Sequence, residues 1–269
     1  MNDETPDSRA APAAPATAEP PVGTEPGPAA AEGYGGVPAS AVRVPEIIGG
    51  VLWAIGVSVV GLILLSVFDS SVVDPDLEQP DGIALAIQAF AALGFISAAI
   101  GMTMIANRGG FRDGLRRLGL LARARRPLGT LGLALLLYLV VIGLVAALLD
   151  PRQEDIAENL GADKDAAPAV IVAAGILIIG GAALGEELFF RGLLFGGLRQ
   201  MLPLWAAAAI SGALFGLPHL PQGDLAVGLQ LSLFGVILAW AYERSGSLWV
   251  PIAMHGLNNS IAFYVLVTT

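Results

Sequence analysis

Long apolar runs constrain the fold of this 269-residue chain more than any other feature. The run Leu128–Leu149 holds 22 residues without a charge, enough to cross about 30 Å of hydrocarbon as a helix. Similar runs predict six further helices: Ile47–Phe68, Ile83–Ala106, Pro168–Gln200, Leu204–Leu217, Leu225–Tyr242 and Leu248–Val267. Only helices and closed barrels satisfy their backbone groups in lipid. We therefore predict an all-α, polytopic transmembrane bundle of about seven to eight helices, the higher number applying if one stretch is split.

The composition supports a membrane protein and excludes several classes. Charged residues make up only 14% of the chain, and the mean hydropathy is +0.72. The net charge of −9 is spread over loops and tail rather than gathered in a basic footprint, so we expect no nucleic-acid partner. The chain has no cysteine, which excludes disulfides, thiolate metal sites and a cysteine nucleophile.

The first 45 residues differ from the rest of the chain. They are rich in Pro, Ala, Gly and Glu and contain nine of the 18 prolines. Such a segment buries too little apolar surface to offset its chain entropy, so we predict a disordered tail over 1–45. It has no apolar h-region, so we expect no cleavable signal peptide, and the first transmembrane helix would direct insertion.

The polar segments between the runs predict the orientation. Segment 107–127 carries seven arginines against one acid, whereas segments 69–81 and 150–165 are acidic. Short arginine-dense loops stay in the cytoplasm. We therefore predict a multi-pass protein of the cell membrane with a cytoplasmic N-terminal tail, transmembrane helices with a basic cytoplasmic loop over 46–150, and a catalytic region over 168–267. The Phe111/Leu115/Leu118 spacing also indicates a short amphipathic helix on the membrane surface.

Three ionisable residues interrupt the fourth run, in the stretch Gly185–Arg191. Glu187 and Arg191 are four residues apart, so they share a helix face and can pair. Glu186 points about 100° away and is left without that partner. A poorly solvated carboxylate suits a general base. The alternative is a helix end at the interface that simply carries charges.

Both histidines of the chain lie in apolar sequence of the C-terminal half. His219 is flanked by two prolines that interrupt the backbone ladder, which is tolerated where the backbone is buried in protein or lines a wet cavity. His255 and Asn259 are four apart and share a helix face. Either histidine alone would be read as a satisfied core residue, but together with Glu186 they indicate one polar cavity.

Such a cavity supports hydrolysis of an acyl group, most naturally a peptide bond, by one of two routes. Glu186 and His219 could activate water directly, with His255 and Asn259 donating to the oxyanion. Alternatively, Glu186, His219 and His255 could bind zinc, although no HExxH spacing supports it. Two other classes stay open: a proton-coupled transporter, disfavoured because no repeat is visible, and a non-catalytic scaffold or immunity factor.

Glu186-Glu187-x-x-x-Arg191, Phe215-x-x-x-His219 and His255-x-x-x-Asn259, in this order, resemble the CPBP intramembrane proteases. This family contains the type II CAAX prenyl proteases and the bacteriocin-processing Abi proteins and is labelled a metalloprotease family. The resemblance covers residues 168–263. It implies that Glu186 and His219 activate water and that Glu187 and Arg191 brace the site. It also implies that His255 and Asn259 form the oxyanion pocket or complete the site, with Phe215 packed beside it. It implies a membrane-associated peptide or protein substrate and leaves zinc a candidate cofactor.

Overall fold

The computed structural model describes residues 37–72, 81–149, 167–222 and 225–268. The predicted disorder of residues 1–36 and the predicted acidic loop over 150–165 lie outside these ranges.

Eight helices make up the described part of the chain: α1 (Val44–Phe68), α2 (Asp81–Asn107), α3 (Phe111–Arg117), α4 (Pro127–Leu149), α5 (Pro168–Arg199), α6 (Leu204–Gly216), α7 (Leu225–Ser245) and α8 (Trp249–Thr268). Six of them, all except α3 and α6, are long and apolar enough to cross a membrane. The predicted all-α, multi-pass membrane fold is confirmed. The short amphipathic helix predicted after α2 is α3, and it brings the number of helices to eight.

The described residues overlap the tail predicted over 1–45, because the description starts at Val37 and α1 begins at Val44. Residues Val37–Arg43, which we call the strap, form an extended segment packed against the bundle before α1 begins. Val42 is 1% exposed, and a Cβ added to Gly197 near the end of α5 would lie 2.7 Å from its Cγ1. The Ala41 N–H donates to Asn107 Oδ1 at the end of α2, at 2.9 Å. Tertiary contacts with α2 and α5 therefore order a segment whose composition alone indicates disorder.

Helices α6 and α7 cross closely because small residues line their contact. A Cβ added to Gly212 would lie 2.5 Å from the carbonyl oxygen of Ser232, and one added to Gly235 would lie 2.7 Å from the Cα of Gly212. In membranes such small residues let helix backbones approach, since apolar side chains gain little by leaving lipid. The crossing places the C-terminal part of α6 beside α5.

Helix α5 is the central element and is not a uniform α-helix. It widens into π-helical turns over Ile176–Ala182 and again over Glu187–Phe195, on either side of the α-helical turn Ala183–Glu186. Hydrogen bonds from i to i+5 widen the turn, and such π-helical turns are rare and often occur at functional sites. A wider turn rotates successive residues by less than the about 100° of an α-helix. Glu186 and Glu187 lie where the second widened segment begins.

Candidate functional site

Glu187 and Arg191 form a fully buried ion pair within α5. Both side chains are 0% exposed, and Arg191 Nη1 lies 2.9 Å from Glu187 Oε1. The pairing predicted from their spacing is confirmed. Removing charges from water is costly unless they are paired and hydrogen-bonded, so this pair depends on its surroundings for stability. Those surroundings come from α6 and α8.

His255 on α8 bridges the two neighbouring glutamates of α5. Its Nδ1 lies 2.8 Å from Glu187 Oε1, and its Nε2 lies 3.9 Å from Glu186 Oε2. An ionised carboxylate only accepts hydrogen bonds, so Nδ1 carries the proton of the shorter contact. The sequence predicted that Glu186 would point away from Glu187, but the same imidazole lies near both carboxylates. The smaller rotation per residue in the widened part of α5 is consistent with this.

The ring of Phe215 lies at the centre of the site. It is 1% exposed, and the guanidinium carbon of Arg191 lies 4.2 Å from its centroid. The rings of His255 and His219 lie 5.5 and 5.6 Å from it, centroid to centroid. A cation over an aromatic face is attracted to the ring, and edge-to-face rings pack favourably. Phe215 thus connects α5, α8 and the segment that carries His219.

His219 and Asn259 lie at the edge of this core, and both are partly exposed. His219 belongs to the 3₁₀ turn Leu217–Gln222 after α6, and its Nδ1 lies 3.0 Å from the carbonyl oxygen of Phe215. Asn259 Nδ2 donates to the carbonyl oxygen of Ile178 in α5, at 2.9 Å. Within the described residues His219 forms no hydrogen bond with Glu186, so their predicted partnership as base and orienting group is not made in this conformation.

Exposure divides the predicted site residues into two groups. Glu187, Arg191, Phe215 and His255 are buried, whereas Glu186, His219 and Asn259 are within reach of solvent or substrate. The Glu186 side chain is 19% exposed. The buried residues can therefore fix the positions of their neighbours in the site, and the accessible residues can contact a substrate.

The site contains buried polar atoms without a hydrogen-bond partner among the described residues. These atoms are Glu187 Oε2 and Arg191 Nε and Nη2. A Cβ added to Gly235 would lie 3.3 Å from Arg191 Nη2, so a glycine of α7 makes room for the guanidinium. Motif reasoning missed Gly235 and the Ile178 carbonyl, because neither a glycine in a helix nor a backbone oxygen gives a signal of its chemical role.

The predicted zinc ligands do not form a ready set. No group of three or more His, Asp or Glu side chains in the described ranges is placed to hold a metal ion. His255 Nδ1 is already engaged by Glu187, and His219 Nδ1 faces the Phe215 carbonyl. These contacts leave the Nε2 atom of each ring available, but in the described part of the chain Glu186, His219 and His255 are not gathered into a three-ligand set.

Residues 168–261 match the family model described as "Type II CAAX prenyl endopeptidase Rce1-like". The resemblance seen in the motifs is confirmed over this region. The chain is also similar to "Putative membrane peptidase YdiL" of Bacillus subtilis, with 34% identity over 94 residues, 34% of this chain and 37% of the relative.

A second relative, an "Uncharacterized 24.3 kDa protein" of Escherichia coli, is 32% identical over 126 residues, 46% of this chain and 57% of the relative. The chain thus spans between about a third and somewhat over half of the length of these two curated relatives. No solved structure matches the chain significantly.

Proposed function

We propose that this protein is an integral-membrane endopeptidase that hydrolyses a peptide bond of a membrane-associated substrate. One observation supports this most directly: an accessible carboxylate, Glu186, lies 3.9 Å from a histidine nitrogen whose ring is fixed from its other side by a buried carboxylate. A base next to a group that is itself oriented is the arrangement that hydrolytic sites require. The Rce1-like match over the same residues supports the peptide bond as the target.

Glu186 would act as the general base. It takes a proton from water as the water oxygen attacks the carbonyl carbon of the substrate, giving a tetrahedral oxyanion. The same proton is then delivered to the leaving amine as the C–N bond breaks, which leaves a carboxylic acid and an amine. The ring of His219 packs against Phe215, as does that of His255. His219 would orient the water once substrate draws the 3₁₀ turn toward Glu186.

The oxyanion would be stabilised by His255 and Asn259. The Asn259 amide group has two N–H donors, and only one is directed to the Ile178 carbonyl. Because His255 Nδ1–H is engaged with Glu187, donation from Nε2 requires the doubly protonated imidazolium. A preorganised donor typically contributes about 10²–10³-fold in rate.

Glu187 and Arg191 would act as positioning residues and not touch the substrate. Glu187 accepts from both Arg191 and His255 through one oxygen, so it fixes the tautomer and orientation of the imidazole. Arg191 neutralises Glu187 and packs on Phe215, which in turn contacts both histidines. Loss of either residue is therefore expected to lower the turnover rate more than substrate affinity.

The substrate would approach from the lipid side with an apolar portion. A cavity of about 210 Å³ opens between α6, the 3₁₀ turn and α7, and it is lined mainly by glycine and leucine, including Leu217 and Leu220 on either side of His219. An apolar chain of a membrane-tethered substrate fits this lining. Prenylated CAAX-like termini, bacteriocin precursors and signal-type peptides are the candidate substrate classes.

The test is cleavage of a panel of membrane-tethered peptides by the purified full-length protein in detergent. We expect Glu186→Gln and His219→Ala to abolish cleavage while their thermal unfolding stays close to wild type. Glu46→Gln, which removes a carboxylate near the start of α1, is the matched control and should cleave normally. Cleavage retained in both site variants would refute the proposal.

Each reaction should also be run with and without a zinc chelator. Cleavage that survives chelation supports glutamate-activated water, whereas loss of cleavage that added zinc restores supports a metal bound by Glu186, His219 and His255. No cleavage by wild type of any peptide, together with Glu186-dependent flux in reconstituted vesicles, would favour the transporter alternative. No cleavage and no flux would favour the scaffold.

A further inference from the structure

The segment that joins α2 to α4 presents a cluster of exposed cations. Arg108, Arg112, Arg123 and Arg126, which we call the arginine collar, are all exposed. Their side chains form no ion pair with any described residue, unlike Arg116 and Arg117, which share Asp113. Four exposed guanidinium groups on one segment, with no ion-pair partner among the described residues, attract an anion from outside the protein.

The collar lies where two membrane-crossing helices end. Its residues follow the last residue of α2, Asn107, and precede the first residue of α4, Pro127. Exposed apolar side chains lie between and beside the arginines: Phe111 is 59% exposed, Leu121 52% and Leu128 82%. Arginine interleaved with exposed aromatic and aliphatic side chains at helix ends is the pattern of a surface that lies in the headgroup region.

The backbone holds two of these arginines in an unusual conformation. Arg108 and Arg126 have φ of 48° and 47°, and they are the only non-glycine residues with positive φ in the described ranges. Arg108 ends α2 in the position that glycine usually takes, since its N–H donates to the Ile105 carbonyl and the next N–H donates to Met104. At the equivalent end of α3 the residue is Gly119, with φ of 82°. An arginine in a left-handed position is unfavourable for the backbone and points to a use for its side chain.

Three hydrogen bonds join the segment that carries the collar to α7, α8 and the turn between them. The Tyr242 hydroxyl donates to the Leu118 carbonyl at 3.0 Å, the Arg125 N–H donates to Ser245 at 2.8 Å, and Trp249 Nε1 donates to Leu120 at 2.9 Å. These bonds attach the segment to the turn between α7 and α8. The arginines are therefore displayed from a structured surface, which lowers the entropy lost when they bind a ligand.

We propose that the arginine collar binds the headgroups of anionic phospholipids. Guanidinium groups bind phosphate through paired hydrogen bonds. The exposed side chains Phe111, Leu121 and Leu128 favour a lipid over an acidic protein, because they would enter the acyl region while the arginines stay at the phosphates. This inference is independent of the proposed peptidase activity.

The experiment measures lipid retention by the full-length protein in non-ionic detergent, using native mass spectrometry with phosphatidylglycerol and phosphatidylcholine supplied in equal amounts. We expect wild type to retain phosphatidylglycerol preferentially. Each arginine near an anionic surface contributes about a fivefold change in binding, so Arg112→Gln/Arg123→Gln should lower the preference by roughly thirtyfold. Arg112→Lys/Arg123→Lys should have an intermediate preference, because the charge remains but the paired hydrogen bonds to phosphate are lost.

The matched control is Arg152→Gln/Lys164→Gln, which removes the same charge from the acidic segment before α5. It should retain the wild-type preference. Equal retention of both lipids by wild type would overturn the proposal, as would a preference that survives loss of the collar arginines or falls equally in the control. In a parallel measurement with an acidic peptide added to the two lipids, retention of the peptide in place of lipid would identify the collar as a protein-docking surface and overturn the proposal too.

Discussion

Removing Arg191 tests how the buried network is held together. In Arg191→Met, the fully buried Glu187 loses its cationic partner and retains only the contact with His255 Nδ1, at 2.8 Å. Breaking a buried pair by removing one partner typically costs about 3–5 kcal/mol. Loss of the guanidinium from the face of Phe215, 4.2 Å away, adds about 0.5–2 kcal/mol. We expect the free energy of unfolding to fall by roughly 3–5 kcal/mol, since methionine restores part of the packing.

The double variant Glu187→Gln/Arg191→Met separates charge from packing. It removes both charges, while the glutamine oxygen can still accept from His255. Replacing a buried ion pair by neutral groups is often close to neutral in stability. The double variant should therefore recover at least about 2 kcal/mol relative to Arg191→Met alone.

Unfolding would be followed by tryptophan fluorescence as a denaturing detergent is titrated into micelles that hold the protein, which has four tryptophans. Arg116→Met is the matched control: its side chain is 67% exposed and its pair with Asp113 should contribute less than about 1 kcal/mol. The reasoning fails if Arg191→Met costs no more than this control, or if the double variant is as unstable as the single one.

Three further predictions follow from other contacts. Gly212→Leu should lower the free energy of unfolding by at least about 1–3 kcal/mol, because α7 leaves no room for a Cβ at this position. In the control Gly143→Leu, an added Cβ would meet nothing within 4 Å, so the free energy of unfolding should stay near that of wild type. Equal effects of the two substitutions in the unfolding assay would contradict this. Val42→Asp should release the strap from the bundle, because a carboxylate is costly to bury at this position. Mass spectrometry should then show faster proteolysis within the strap, and an unchanged rate would contradict the burial of Val42. The hydrogen bond from Arg117 lowers the pKa of Asp113, so the ionised carboxylate stabilises the fold above the ordinary carboxyl pKa, and this contribution is lost as pH falls through the lowered pKa. The free energies of unfolding of wild type and Asp113→Asn should therefore differ at neutral pH and converge in acid. A difference that stays constant with pH would refute this.

The sequence predicted those features that depend on local periodicity. Helix bounds agree to within a few residues, because a run of about 20 apolar residues in lipid has one low-energy backbone form. The Glu187–Arg191 pair was predictable because both residues lie on one helix at a spacing that brings them together. The motifs also indicated that Glu186, His219 and His255 belong to one region.

The tertiary structure decided which of these groups meet. Three contacts depend on how α8 and α6 pack against α5. His255 lies near both glutamates, Phe215 contacts both histidines, and Asn259 donates to the Ile178 carbonyl. The packing of the strap likewise depends on Gly197, whose missing side chain leaves room for Val42. Spacing along the chain determines the face of a helix on which a residue lies. The relative depth and rotation of neighbouring helices depend instead on where small residues let them cross and where turns widen, and local periodicity does not predict these positions.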